Sequence, residues 1–135
     1  MLDPKYITLE ISGNVGIVTF SNPPYNLFNL QALEELQWAF RKLDADDECR
    51  AIVLAAEGKV FCAGADLTTG LAEGIDFAEA SSNFYRLAMT FFDTKKPMIA
   101  AVQGAAVGAG FGLSLVADFR IACPETTFSA NFTRL

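Results

Sequence analysis

Two short apolar runs set the terms for this chain. Ala51-Ile52-Val53-Leu54-Ala55-Ala56 and Met98-Ile99-Ala100-Ala101-Val102 carry no charge, and each is followed within a few residues by a segment rich in glycine and alanine. Runs too short for a helix and apolar at every position suit strands buried on both faces, and such strands pair in parallel when a helix connects them. The remaining pattern supplies the helices. Asn29 is placed to cap a helix whose Leu33, Leu36, Phe40 and Leu43 recur at helical spacing, with Glu34, Glu35, Arg41 and Lys42 off that stripe. A second helix is expected from near Phe77 to Asp93, where Lys95-Lys96-Pro97 stops it.

At the start of the chain, Tyr6 to Ser12 and Val15 to Phe20 flank Gly13-Asn14 and read as a β-hairpin. Ser21-Asn22-Pro23-Pro24-Tyr25-Asn26 is a loop, because adjacent prolines cannot continue a ladder. Gly104 to Gly112 reads as a glycine-rich turn into a short helix through Ala117, and Phe119 to Ala122 as a returning strand. The order expected is ββαβαβαβ, an α/β architecture in one domain over 1–135.

Composition removes several kinds of function. The net charge is −6, with no lysine-rich or arginine-rich run, so nucleic acid is an unfavoured partner. The chain has no histidine, which excludes a Ser-His-Asp triad, a Cys-His pair and a histidine-ligated metal made from these residues alone. Cys49, Cys62 and Cys123 are odd in number and lack CxxC spacing, so neither a disulfide framework nor a zinc site is favoured. With no apolar leader after Met1, a reducing cytoplasm is the compartment expected. Pro97 to Ala117 is 21 residues without a charge, with Gly104, Gly108 and Gly112 in GxxxG spacing. Its many glycines, its small side chains and Gln103 argue against a membrane span.

The two glycine-rich segments, Phe61-Cys62-Ala63-Gly64-Ala65-Asp66 and Gly104 to Gly112, lie at the carboxyl ends of buried strands, where open α/β sheets place ligands. Small residues let a ligand approach the main chain, and N–H groups at a helix start are donors reinforced by the helix dipole. An N–H near Ala65 and one near Ala109, if they converge, form an oxyanion hole, where a single donor is worth about 2.7 to 4 kcal/mol of barrier. The same residues also serve simply to let helix and strand pack closely, and composition alone favours that use. A dinucleotide site is disfavoured: Leu113 stands at the sixth position of the GxGxxG pattern, and no acidic residue follows at the required distance.

The run Ala55 to Leu67 resembles the first signature of the crotonase family, the enoyl-CoA hydratases and isomerases. Lys96 to Gly110, followed by Ala117-Asp118-Phe119-Arg120-Ile121-Ala122, resembles the second. The resemblance runs in order along essentially the whole chain. It implies a crotonase-like spiral of ββα units, a coenzyme A thioester as substrate with no permanently bound cofactor, and homo-trimers or hexamers. It implies that the N–H groups of Ala65 and Ala109 hold the thioester carbonyl. Ala63, Gly64, Ala65, Asp66, Leu67 and Thr68, together with Gly108, are the residues it implies at the CoA site. The family pattern continues past Leu135 into a C-terminal helical region, so a chain incomplete at that end is expected.

Two departures bear on chemistry. The two glutamates of the hydratases fall at Gly112 and Phe132, so water addition by the two-carboxylate route is disfavoured. Isomerisation, dehalogenation and thioester hydrolysis stay open, as does a catalytically inactive CoA-binding or interaction subunit. Glu73 and Asp76 are candidates to reach an acyl group, although acidic residues also belong at a helix start. Lys59 is a candidate partner for CoA phosphates, while Asp66 and Asp118 read as turn-stabilising and structural. Cys62 reads as packing, and Trp38, off the apolar stripe, as a subunit contact.

Overall fold

The computed structural model describes residues 3–68 and 74–131. A hairpin of β1 (Ile7–Ser12) and β2 (Val15–Phe20) leads into α1 (Leu30–Ala45) and β3 (Ala51–Ala56). There follow α2 (Phe77–Met89), a 3-10 turn (Thr90–Asp93), β4 (Met98–Val102), β5 (Ala105–Val107), α3 (Ala109–Val116), β6 (Phe119–Ala122) and β7 (Thr127–Ser129). The main sheet has the order β1-β2-β3-β4-β6, and β5 pairs with β7 in a second, two-stranded sheet. Among the described residues only β1 and β2 pair antiparallel; β2–β3, β3–β4, β4–β6 and β5–β7 are parallel. The parallel pairing and the central place of β3 follow the expectation from the two apolar runs.

Register explains where the core sits. Gly16 is opposite Ile52 and Val18 opposite Leu54, while Ile52 and Leu54 in turn face Met98 and Ala100. All of these are buried, so one face of the sheet carries a continuous apolar band. Side chains alternate across a strand, and the intervening Ala51, Val53 and Ala55 are only half-buried. Strand β3 is therefore covered on one face rather than on both as its unbroken apolar run suggests. Helix α1 lies on the buried face, where Leu43 presses against Gly16; a Cβ on that glycine would come within 2.5 Å of the Leu43 side chain. Phe40 meets Phe91 edge to face at 5.4 Å, which joins α1 to the 3-10 turn.

Polar clamps tie distant segments to α1. Glu35, taken from periodicity as a solvent-facing residue, is buried, and its carboxylate accepts the N–H groups of Lys5 at 3.0 Å and Tyr6 at 2.7 Å. The Gln31 amide donates to it at 2.9 Å. At the other end, Asp44 accepts the N–H groups of Lys95 and Lys96, and the Lys96 ammonium binds the carbonyls of Leu43 and Asp46 at the helix C-terminus. A cation there meets the negative end of the helix dipole. Asn29 caps the helix as expected, accepting from Ala32 N–H at 2.8 Å. Trp38 is half-buried with the Lys42 ammonium 5.0 Å from its ring centroid.

Three element boundaries differ from the sequence reading. The second helix is α-helical only to Met89 and tightens to 3-10 over Thr90–Asp93, where the Thr90 hydroxyl donates to Leu87 O at 2.7 Å. Residues 105–107, expected within a turn, form β5, and β7 was not anticipated. Their mutual pairing spans about twenty residues of chain and leaves no local periodicity to read. The uncharged stretch 97–117 is divided among β4, β5 and α3, and no helix among the described residues is long and apolar enough to cross a membrane.

The Glu35 clamp makes a direct prediction. Glu35→Ala removes the charged acceptor of two main-chain donors, one on exposed Lys5 and one on half-buried Tyr6, and a hydrogen bond to a charged group is worth about 1.5–3 kcal/mol. Urea denaturation should show a loss of at least about 2 kcal/mol. Glu34→Ala, one residue away and exposed, should change stability by less than about 0.5 kcal/mol.

Candidate functional site

The two glycine-rich segments meet. After β3 the chain turns through Gly58, and Phe61 and Cys62 are buried. After β4, Gln103 donates its amide to the carbonyls of Ala56 at 2.7 Å and Gly58 at 3.1 Å, fastening the second turn to the first. Gly104, at φ +60°, lies so close that a Cβ would sit 1.9 Å from Lys59 O. No side chain fits at that crossing. Beyond it, Cys62 N–H donates to Ala105 O at 3.1 Å and Val107 N–H to Cys62 O at 2.9 Å, a parallel bridge centred on Ala106.

The other edge of the same segment is bound to the loop after β2. Ala63 N–H donates to Tyr25 O at 3.0 Å, Phe28 N–H to Gly64 O at 2.9 Å and Asp66 N–H to Phe28 O at 2.5 Å. That loop is held by Asn26, buried and at φ +50°, whose amide donates to Glu57 O and Val60 O at 2.8 and 2.7 Å. Ala63 N–H and Gly64 C=O both face the loop, although consecutive residues of a regular strand face opposite ways. Gly64, at φ +136°, absorbs this change of phase. The bridge to Phe28 uses Gly64 O and Asp66 N–H, so the N–H of Ala65 itself turns to the opposite side, that of β5 and α3.

Helix α3 starts at that side. Gly108, at φ +54°, caps it without a side-chain hydrogen bond and donates its own N–H to Ser129 O at 2.9 Å. The first bond within the helix runs from Gly112 N–H to Gly108 O, so the N–H groups of Ala109, Gly110 and Phe111 precede the helical ladder. A Cβ on Gly110 would come within 2.1 Å of Cys62 O, so only glycine lets the helix start lie against the first segment. A Cβ on Gly112 would meet nothing within 4 Å.

Cavities flank the junction. One, of about 200 Å³, has Ala109 and Gly112 on one side and Phe28, Phe84, Phe91 and Val116 on others. Among the described residues, none that lines it is charged. A larger one, of about 450 Å³, is bordered by Asp66 and Leu67 with Lys5, Asn29 and Glu34; Phe84 lines both. The site residues read from sequence thus divide: Gly108 and Ala109 line the apolar cavity, Asp66 and Leu67 the polar one. Ala63 and Gly64 are half-buried between their two backbone partners, and Ala65 and Thr68 are exposed. The aromatic wall from α2 and the 3-10 turn was not singled out from the sequence. Its signal was the apolar spacing Phe84, Ala88, Phe91, which also suits ordinary core.

The remaining candidates have plain roles. Asp66 accepts from Thr68 N–H at 2.9 Å and from the Thr68 hydroxyl at 2.5 Å, a turn-stabilising pattern. Asp76 caps α2 through Ala78 N–H at 3.1 Å, and Asp118 accepts Met98 N–H at 2.8 Å between β4 and β6. Lys59 is exposed. Burial pushes the Cys62 thiol from 9.0 up to about 12, outweighing its contacts with the Gly64 and Phe28 backbone. A thiol held protonated is no nucleophile, so Cys62 is packing. Glu73 and Phe132 lie outside the described residues.

A largely parallel sheet with two glycine-shaped turns at its strand ends, opening on an apolar cavity, makes this an α/β protein of the kind whose strand carboxyl ends are the usual place for a ligand. The comparisons make this specific: the family model described as enoyl-CoA hydratase/isomerase matches residues 10–135, and the chain belongs to that family. It is 38% identical over 131 residues to a Rhodobacter capsulatus protein named "Probable enoyl-CoA hydratase", covering 96% of this chain and 50% of that one. It is 34% identical over 134 residues to the 4-chlorobenzoyl coenzyme A dehalogenase-2 of an Arthrobacter species, covering 91% of this chain and 47% of the relative. The crystal structure of an enoyl-CoA hydratase from Shewanella pealeana superposes with a TM-score of 0.82 at 27% identity, covering 93% of this chain and 49% of that one. The chain spans about half the length of the curated relatives it matches.

The two helix glycines should behave oppositely. Gly110→Ala drives a methyl group into Cys62 O and should cost about 2 kcal/mol or more. Gly112→Ala meets open space and should stabilise by about 0.5–1 kcal/mol through helix propensity. Urea midpoints measure both.

Cys62 sets an alkaline limit. The unfolded chain releases this proton near pH 9 and the folded chain holds it to about 12, so the unfolded state binds fewer protons in between. The contribution of the protonated thiol is complete below pH 9 and drains away as pH rises from 9 towards about 12. Stability measured from pH 8 to 11 should fall less steeply in Cys62→Ala than in the unsubstituted chain.

Proposed function

We propose that this chain binds an acyl group as its coenzyme A thioester and stabilises the thioester enolate. The donors are the N–H groups of Ala65 and Ala109, with Ala63 to Thr68 and Gly108 alongside the CoA moiety. The observation that supports this most is the meeting of the two segments. Ala65 turns its N–H away from Phe28 towards the side where α3 begins, and Ala109 is the first residue of that helix, on the wall of an apolar cavity. Two fixed main-chain donors suit an oxygen that gains negative charge, because they require no reorganisation as the charge develops.

A thioester carbonyl between these donors acidifies its α-carbon; transfer of an α-proton to solvent hydroxide, which becomes water, leaves an enolate whose oxygen takes the same two hydrogen bonds. Gly112 places no carboxylate in the cavity, so the two-glutamate route of water addition is not assigned to these residues. Double-bond isomerisation or another enolate reaction fits better. The three thiols, none in a disulfide, suit the reducing cytoplasm, and assembly into trimers or hexamers accompanies the reading as a family trait.

A second reading, a CoA-binding subunit without turnover, is favoured by the same Gly112. Incubation with hexanoyl-CoA in deuterium oxide, followed by proton NMR, separates the two. The enzyme exchanges the α-protons; a thioester that binds without exchange identifies the inactive subunit. Proline is well tolerated at the first position of a helix and has no N–H to give. Ala109→Pro should therefore keep the fold by circular dichroism and slow exchange by about 100- to 1000-fold. An exchange rate unaffected by Ala109→Pro would remove Ala109 from the mechanism.

A further inference from the structure

Resting on the CoA-thioester reading above, we infer that the acyl group taken by this site is apolar along its whole length and of about six to eight carbons, the bulk of a single ring. Size is the first ground. An apolar cavity of about 150 Å³ holds one benzene molecule, and the space beside Ala109 is about 200 Å³. That leaves room for a ring with a short extension, or for a chain of similar volume.

The walls are the second. Phe28, Phe84, Phe91 and Leu113 are buried, so the inner surface is held by packing. A carboxylate or hydroxyl on the acyl chain would lose its water there and meet no charged partner among the described residues. Tyr85, among the described lining residues the one with a polar group on its side chain, is 51% exposed and lies at the rim. Charged side chains lie instead around the larger cavity, beyond Phe84, where Lys5, Glu34 and Asp66 are found. Gly112 is the third ground. Its missing side chain faces open space, so the cavity keeps the volume that any larger residue would take from the acyl group.

Isothermal titration of the 135-residue chain with free CoA and with acetyl-, butyryl-, hexanoyl-, benzoyl-, lauroyl- and succinyl-CoA tests the inference. Affinity should rise by about fourfold per methylene from butyryl to hexanoyl. Benzoyl-CoA should match hexanoyl-CoA, and lauroyl-CoA should gain nothing further. Succinyl-CoA, with the same number of carbons as butyryl-CoA, should bind at least about tenfold more weakly than it. Gly112→Leu should weaken hexanoyl-CoA by about tenfold and leave acetyl-CoA within about threefold. Thioesters that bind equally well whatever their acyl group, or a succinyl-CoA at least as tight as butyryl-CoA, would overturn the acyl inference while the CoA reading stood. Binding of neither CoA nor any thioester would overturn both.

Discussion

Everything at the candidate site depends on one strand-like segment, Cys62 to Asp66, bound along both edges by main-chain hydrogen bonds. One edge is held by Ala105 and Val107, the other by Tyr25 and Phe28. Backbone pairing of this kind leaves little freedom, because each buried N–H or C=O that loses its partner costs free energy comparable to a hydrogen bond. The arrangement therefore fixes where the donors left over must point. Gly64 shifts the phase of the segment, and Ala65 N–H turns to the side of α3 as a result.

Close approach is the second condition, and it is enforced by absent side chains. Gly104 passes Lys59 O and Gly110 passes Cys62 O at distances that no Cβ tolerates. Gly112 has no such constraint, and its neighbourhood is cavity. Three glycines of one segment thus have different physical reasons: Gly104 lets the turn after β4 cross the first segment, Gly110 lets the start of α3 lie against it, and Gly112 leaves a volume empty. The buried Cys62 fits the same picture, since its thiol is kept protonated by desolvation and contributes as a small apolar group.

The supports of this junction lie far from it in sequence. Asn26 ties the loop after β2 to residues 57–60, Glu35 holds the entry to β1, and Asp44 with Lys96 locks the end of α1 to the entry of β4. Each replaces water at partly buried main-chain groups, and together they hold the strands whose carboxyl ends carry the two turns. The outer elements are different in kind. Strand β6 is exposed at the sheet edge, with Phe119 and Ile121 in solvent, and Arg120 turns back to cap α3 through the carbonyls of Ser114 and Ala117.

By itself the sequence determined whatever depends on neighbours along the chain. The hairpin, the cap and apolar stripe of α1, the apolar runs of β3 and β4, and the small-residue signatures at their ends were all legible, because strand period, helix period and glycine content are local properties. The family, too, was readable in those signatures. What only the tertiary structure decided is non-local. The pairing of β5 with β7, the burial of Glu35 under two distant N–H groups, the single covered face of β3 and the cavity enclosed by Phe28, α2, the 3-10 turn and α3 arise between residues tens of positions apart. Burial is a property of the assembled surface, and the direction of a backbone donor is set by which edges of its strand are already taken. A sequence names Ala65 and Ala109 as small residues; packing decides where their N–H groups face.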